Sequence, residues 1–388
     1  AQNLNGKTIH SAECDRELLL MADLPGAGPV SGTLKPGQEV GTSDMVVKVD
    51  PGKSHEGQVS IDNYGNRYTG QIRTNANVDF NSPLKIGDKL SLRATATNEH
   101  LLYGQVSYDL PANSDGWRVG GYLSSNSYEL GKEFDSLDAS GRSNTTGLYT
   151  SDPLLRGLNA NIWLSGSVEY HDLKDEVRAT DITTNKNVTV ATVEAYGDLA
   201  DSFGGGAYST WRTTLASGRL DIESDDALVI DQAGPKANGD YQNFKLLATR
   251  LQAVTPHTSA FVSVAAQWAD KNLDSSEKFV LGGMNGVRAY PQGEGVGDEG
   301  WLAKVELRHD FWSGIQASAF YDHGHVKYNN HDFAFGNNDT TLKGYGLAVA
   351  SRYELYELKG TVAWPNGPDA VSAPDRSPRF WLALQRGF

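Results

Sequence analysis

From about residue 54 to the C-terminus, apolar and polar residues alternate with a period of two, in runs separated by turn-rich segments. Clear examples are the runs 89–97, 262–268, 301–308, 315–322 and 344–350. Because successive side chains of a β-strand point to opposite faces, the pattern predicts strands with one apolar and one polar face. Many segments reach about ten residues, enough to cross a bilayer at a tilt. We expect roughly sixteen strands, within the even-numbered range of transmembrane β-barrels.

The two faces of these strands favour a membrane barrel over a soluble sandwich. The apolar faces carry small aliphatic residues in the middle and aromatic residues toward the ends, like a lipid-facing band between aromatic girdles. The polar faces mix charged residues with Gly, Ser and Gln, as expected of a lumen. The connections alternate between tight turns, at 255–257 and 354–356, and long polar stretches. We predict long loops at 178–187, 223–239, 270–300, 329–340 and 366–377.

The first fifty residues follow a different pattern. Glu13 to Ala22 has helical spacing and is followed by a Pro25-Gly26 stop. Two short strands are predicted next, at Pro29 to Leu34 and Met45 to Val49. This helix–strand–strand unit is too small to bury a full core. We therefore expect that the chain begins inside a larger α+β domain.

Composition narrows the function classes further. The 388 residues include 34 Lys+Arg and 48 Asp+Glu, a net charge of −14, which argues against nucleic acid as a partner. The one cysteine, Cys14, excludes a disulfide framework and a cysteine-rich zinc site. Composition alone fits a soluble all-β protein, such as a lectin or β-helix, as well as a membrane barrel. The sequence has no phosphate-binding GxxxxGK[ST] motif and no Gly-x-Ser-x-Gly elbow, so we expect neither enzyme activity nor a cofactor.

Several short motifs resemble, in order, a known family. These motifs are Arg16-Glu17-Leu18-Leu19-Leu20, Asp23-Leu24-Pro25-Gly26, Leu34-Lys35-Pro36-Gly37, Gly41-Thr42-Ser43-Asp44, Gly57 to Gly70, Leu281-Gly282-Gly283, Val287-Arg288-Ala289-Tyr290, Glu306-Leu307-Arg308, Phe320-Tyr321-Asp322-His323-Gly324 and the terminal Phe388. Together they resemble TpsB proteins, the outer-membrane transporters of two-partner secretion. The resemblance implies that residues 1–53 are the C-terminal part of a periplasmic POTRA domain. It implies that residues 54–388 form a sixteen-stranded antiparallel barrel.

The resemblance also implies a function and partners. The barrel would export one large exoprotein, which carries an N-terminal two-partner-secretion domain, across the bacterial outer membrane without ATP. We expect contacts with the bilayer, lipopolysaccharide and periplasmic chaperones, and a monomeric barrel that binds no nucleic acid. Two rivals remain: a barrel-assembly insertase of the same superfamily, and a diffusion porin for small solutes, which also reaches about sixteen strands.

The family's sixth extracellular loop folds back into the lumen, and it maps to 270–300 here. The resemblance places its tip at Val287, Arg288, Ala289 and Tyr290, and its lumenal partners at Asp322 and Glu306. Strand parity independently turns Asp322 toward the lumen, and a planar Arg–carboxylate fork fixes a loop better than Lys could. The residues alone leave a second interpretation, in which Arg288 is a solvated loop residue and Asp322 a lining charge.

Two further features bear on the site. The family's tip has glycine where this chain has Ala289, so a tip backbone with positive φ would be strained here. His323 and His325 share the outward face with Tyr321, and we interpret them as interfacial residues rather than metal ligands.

In the N-terminal unit, an exposed strand edge beside a helix can accept an extended segment by β-augmentation. On that basis we nominate Arg16, Leu20, Val30 and Leu34 as substrate-binding residues.

Overall fold

The computed structural model describes residues 8–311, 314–333, 336–374 and 377–388. A helix and a two-stranded antiparallel sheet come first: α1 (Ser11–Ala22), β1 (Ala27–Pro36) and β2 (Ser43–Pro51). The three predicted elements are therefore present, each slightly longer than the sequence pattern indicated. Residues 1–7 of the predicted N-terminal unit lie outside the described part of the chain.

The rest of the chain forms a closed barrel of sixteen antiparallel strands, each paired with its neighbours along the chain. The barrel strands are β3 (His55–Asp62), β4 (Arg73–Asn81), β5 (Lys89–Thr97), β6 (Leu102–Pro111), β7 (Arg118–Glu129), β8 (Ala139–Arg156), β9 (Ala160–Val177), β10 (Ile182–Asp201), β11 (Ala207–Ile222), β12 (Gly239–Thr255), β13 (Thr258–Ala269), β16 (Glu299–Asp310), β17 (Ile315–Lys327), β18 (Asp339–Tyr353), β19 (Tyr356–Pro365) and β20 (Arg379–Gly387). Two two-residue strands, β14 (Phe279–Val280) and β15 (Val296–Gly297), pair with each other between β13 and β16. The predicted antiparallel barrel of about sixteen strands is confirmed.

The alternating faces lie as the sequence pattern predicts. On β18, Tyr345 and Leu347 are 49% and 54% exposed on the outer surface, while Gly346 between them faces inward against Phe320. Such an outward apolar band stabilises the fold when it contacts hydrocarbon and not water. No helix among the described residues is long and apolar enough to cross a membrane.

The connections divide the barrel into a long-loop end and a short-turn end, and one predicted loop is wrong. The stretch 178–187 is not a long loop, because β9 and β10 continue to Val177 and from Ile182, with a single 3₁₀ turn between them. Its polar composition belongs to strand ends that extend past the apolar band. The connection 223–238 contains a second helix, α2 (Asp225–Ala233).

The barrel closes where β20 pairs with β3, from Ala383 opposite Asp62 to Gly387 opposite Gln58. Two backbone hydrogen bonds between Gly57 and Phe388 extend this seam by one pair. A methyl group on Gly57 would lie 2.4 Å from the Phe388 ring, so glycine is needed for the terminal aromatic to pack there. The family-like motif Gly57 to Gly70 thus begins at the seam.

Packed apolar groups lie inside the barrel in two separate clusters. One cluster joins the inner faces of β9 to β13 with Leu273. The other joins β16 to β19 with residues of the segment that connects β13 to β16. That connecting segment, residues 270–298, is therefore part of the interior and is called the lumenal loop below.

Candidate functional site: a loop held in the lumen

The lumenal loop turns back on itself through a tight hairpin. Leu281 and Gly282 donate their backbone N–H groups to Gly295 and Glu294, and Val287 donates to the carbonyl of Leu281. A side chain on Gly286 would bring Cβ within 1.9 Å of the Leu281 oxygen, so only glycine fits this turn. The hairpin fixes the direction in which the next residue, Arg288, leaves the loop.

Arg288 forms a two-pronged contact with Asp322 on β17. Its Nε donates to Asp322 Oδ2 at 2.8 Å and its Nη2 to Oδ1 at 2.7 Å, while the backbone N–H of Arg288 also donates to Oδ2 at 3.0 Å. Its Nη1 donates to Glu306 Oε1 on β16 at 2.7 Å. Asp322 is fully buried and Arg288 is 5% exposed. The structure thus brings together Arg288, Asp322 and Glu306, the three residues that the resemblance grouped.

Neighbouring side chains hold this fork and balance its charge. Arg308 donates to the second oxygen of Glu306 at 2.8 Å, so two arginines face two carboxylates. The Arg288 guanidinium carbon lies 3.5 Å from the centroid of the Phe320 ring, in cation–π contact. Trp381 on β20 donates its indole N–H to the Arg288 carbonyl at 2.7 Å. These contacts give the buried ion pair further hydrogen-bond partners, which offset part of the cost of removing its charges from water.

The rest of the tip is equally enclosed. Val287 and Tyr290 are buried, and Tyr290 donates its hydroxyl to the Pro368 carbonyl in the last long loop at 2.8 Å. Ala289 is not one of the non-glycine residues with positive φ, so the strain that its replacement of glycine could have caused is absent. A methyl group on Gly344 would lie 2.5 Å from the Ala289 side chain. Gly344 therefore provides the space that Ala289 occupies.

Outside the tip, the lumenal loop ties together the long-loop end of the barrel. Glu294 accepts hydrogen bonds from the backbone N–H groups of Val371 and Ser372, in the loop before β20. Buried Asp298 pairs with Lys278 and accepts from the backbone N–H of Asn330, in the loop before β18. These contacts tie the lumenal loop to the two loops that precede β18 and β20.

A further ion pair anchors the start of the loop to β10. Lys186 donates to Asp274 Oδ2 at 2.7 Å. Burial by itself raises the pKa of the Asp274 carboxyl, but the Lys186 ammonium and hydrogen bonds from Ser276 bring that pKa below its ordinary value. The carboxylate is therefore ionised at neutral pH, and the anchor is intact there.

Below the tip, toward the short-turn end, lies a cavity of about 870 Å³. Arg288 and Glu306 form its roof, and its walls include Ser318, Ala350 and Lys359 on the inner faces of β17 to β19. The tip therefore separates this cavity from the long-loop end. Moving the tip would join the two ends along this side of the barrel.

This arrangement can be compared with known proteins. The family model described as haemolysin secretion/activation protein ShlB/FhaC/HecB matches residues 41–350, which contain Arg288, Glu306 and Asp322. The chain belongs to this family. The matched region is most of the chain, and it contains both residues of the Arg288–Asp322 fork.

Curated relatives and solved structures are also similar to this chain. The heme/hemopexin transporter protein HuxB of Haemophilus influenzae strain 86-028NP is 27% identical over 386 residues, which are 97% of this chain and 67% of HuxB. The structure of CdiB from Escherichia coli matches with a TM-score of 0.82 at 20% identity, over 99% of this chain and 72% of CdiB. BamA from Haemophilus ducreyi lacking POTRA domains 1–3 matches with a TM-score of 0.63 at 12% identity, over 94% of this chain and 76% of BamA. These two structural matches show the fold.

The four nominated substrate-binding residues of this family member lie in two different environments. Arg16 donates to the Pro153 carbonyl at 3.1 Å, and Leu20 is buried and packs near Gly116, so both contact the short-turn end of the barrel. Val30 is half-buried and Leu34 is exposed on β1. Arg16 and Leu20 thus dock α1 on the barrel, and substrate contact by all four residues stays a prediction.

Sequence reasoning missed two residues of the site, and each had a signal. Phe320 stands two positions before Asp322, so the same parity that turns Asp322 inward turns Phe320 inward. Trp381 breaks the alternation of the last strand by placing a large aromatic residue on the polar face. In the structure that break marks the hydrogen bond to Arg288.

Proposed function

We propose that this chain is an outer-membrane pore that exports a large partner protein in two-partner secretion. It has no catalytic centre and uses no ATP or cofactor; folding of the partner outside the cell supplies the direction of transport. Membership of the secretion/activation family supports the class of function. The observation that carries the proposal is the lumenal loop, held inside the pore by the Arg288–Asp322 fork, because a removable obstruction suits a pore that passes a chain intermittently.

The proposal sets the orientation of the barrel. The long-loop end faces the outside and the short-turn end faces the periplasm, as is usual for such barrels. We propose that α1, β1 and β2 are the last part of a periplasmic POTRA domain. Their docking at the short-turn end supports this, through the Arg156–Asp23 ion pair, whose Nε–Oδ2 distance is 2.7 Å.

The test is export in cells that lack other transporters of this type. The protein is co-expressed with the large secreted β-helical protein expected from the neighbouring reading frame, and the partner is quantified in the medium and on the cell surface by protease accessibility. We expect the partner outside only when the transporter is present. A partner that stays in the periplasm at normal barrel levels would refute the proposal.

A barrel-assembly insertase is the second candidate, and one feature of the structure favours it. Among the described barrel joints, the seam between β20 and β3 pairs over the shortest register, Ala383–Gly387 against Gln58–Asp62. An insertase would use such a seam to admit new strands. Depleting the protein would then lower the level of many outer-membrane barrels, whereas an exporter affects its partner alone.

A further inference from the structure

One half of the barrel's inner wall has an unusual chemistry. On strands β3 to β9 the inward positions in the middle of the barrel are mostly short, neutral and polar. The register places Ser60 opposite Asn75, and Gln105 opposite Ser124, which in turn lies opposite Thr145. Paired residues of antiparallel strands share a face. The alternate positions, such as Leu123 and Leu148, are exposed aliphatics on the outer surface, so the polar set faces inward. We call this surface the polar wall.

Charged residues on the polar wall are largely neutralised by their neighbours. Arg73 pairs with Asp62 at 2.8 Å, and Lys89 pairs with Asp79 at 2.9 Å. Arg118 pairs with Asp109. A surface built this way offers many hydrogen-bond donors and acceptors but no strong net field that would hold a charged segment in place.

The lumenal loop leaves this wall open. The hydrogen bonds and ion pairs that tie the loop to barrel strands lie on β10 to β20. Others reach loops at the long-loop end, including the bond from Asn66, between β3 and β4, to the Gln292 carbonyl. The extremes are the Lys186–Asp274 pair on β10 and the Trp381–Arg288 contact on β20. The two apolar clusters inside the barrel also lie on strands β9 to β19. The obstruction and the polar wall therefore occupy opposite sides of the lumen.

The N-terminal unit docks directly below the polar wall. Asp23 pairs with Arg156 at the end of β8, and Leu20 packs near Gly116 in the turn between β6 and β7. Leu24 lies near Gly87 in the turn between β4 and β5. A polypeptide held by this unit would therefore meet the barrel at the lower ends of β4 to β9.

From these placements we propose that the polar wall is the track for the exported polypeptide, which passes in an extended conformation and is recognised through its backbone. The proposal rests on the proposed export function. Ser, Thr, Asn and Gln side chains can exchange hydrogen bonds with any backbone N–H or C=O group, whatever the sequence. Each such bond contributes little net free energy in water, so a chain can slide from one to the next.

The test is site-specific cross-linking to a stalled partner in the full-length transporter. Cys14, the one cysteine of this chain, is replaced by Ser, and single cysteines are introduced by Gln105→Cys or Ser124→Cys on the polar wall. The matched controls are Ser318→Cys and Ala350→Cys, two inward positions that line the cavity on the other side. The partner found in the export assay carries one free cysteine for cross-linking and, at its C-terminus, a separate disulfide-bonded domain that stalls it in the barrel.

We expect the polar-wall cysteines to form at least about tenfold more disulfide-linked product than the cavity cysteines, because the yield follows effective concentration. Stronger linkage at Ser318→Cys or Ala350→Cys, equal linkage on both sides, or no linkage with normal export would each overturn the track. The Cys14→Ser parent is first shown to export the unstalled partner. If only the unmodified protein exports it, Cys14→Ala replaces Cys14→Ser as the parent. Absence of export by the unmodified protein would instead refute the proposed function. Heat-modifiable gel mobility verifies that each variant is a folded barrel.

Discussion

Replacing Arg288 by alanine tests the role of the fork most simply. The change removes the guanidinium and leaves Asp322, which is fully buried, with one hydrogen bond from the backbone of residue 288. Glu306 keeps its bond to Arg308. The lost groups act in the closed arrangement of the loop, so the change destabilises that arrangement relative to one in which the loop has left the lumen.

The size of the effect follows from the burial of the pair. Removing one partner of a buried ion pair costs about 3–5 kcal/mol, because the other charge is left buried without compensation. Water entering from the adjacent cavity favours the lower end of that range. A change of about 3 kcal/mol corresponds to roughly a 100-fold shift toward the open arrangement.

Single-channel recording in planar bilayers measures this shift directly. The Arg288→Ala protein should spend far more time in a high-conductance state than the parent protein. In cells, we expect weaker export of the partner, since the loop no longer returns to a defined position. Arg308→Ala is the matched control: it removes a guanidinium from the same Glu306 but leaves the Asp322 fork in place. Its effect should stay below about tenfold, as expected for a partly exposed pair. Equal open probability for Arg288→Ala and the parent would show that the fork does not hold the loop.

Four other changes are informative. Gln267 pairs with Gly300, so a short Gly/Ser turn can replace most of the loop between them. Single-channel conductance should then rise, and an unchanged conductance would place the loop outside the pore. Combining Arg288→Ala with Asp322→Ala should increase channel opening no more than the stronger single change, because both remove one contact; additive effects would argue against coupling. Trp381→Phe removes one hydrogen bond, so opening should rise about fivefold, and no rise would assign Trp381 to packing alone. Gly344→Val should displace Ala289 and raise conductance; a parental conductance would show that the tip adapts.

Strand periodicity accounts for most of what the sequence predicts correctly. Alternation at 315–322 places Asp322 on the inner face without reference to any other protein, and the same reasoning applies to the other strands. Periodicity could not predict the contact of Asp322 with Arg288, because the two residues are 34 positions apart and belong to a strand and a loop. The family resemblance supplied that pairing.

The features that sequence reasoning missed arise from contacts between distant segments. The polar stretch 178–187 looked like a loop, yet its residues are strand ends held in register by β9 and β10. Arg16 and Leu20 looked available on a helix, yet they face turns that lie over ninety residues further along the chain. Local pattern carries no information about which partner a side chain meets across the fold.

Tethering the loop in place tests the central claim most directly. Asn285, at the loop hairpin, accepts a hydrogen bond on its carbonyl from Lys304 of β16 at 2.7 Å, so cysteines at these two positions can be joined by a short reducible cross-linker. Both changes are made in the Cys14→Ser protein, and each single-cysteine variant, treated with the same reagent, controls for modification alone. We expect the tethered protein to hold a low conductance and to stop exporting its partner, and reduction to restore both. Undiminished export with the tether intact would contradict the account.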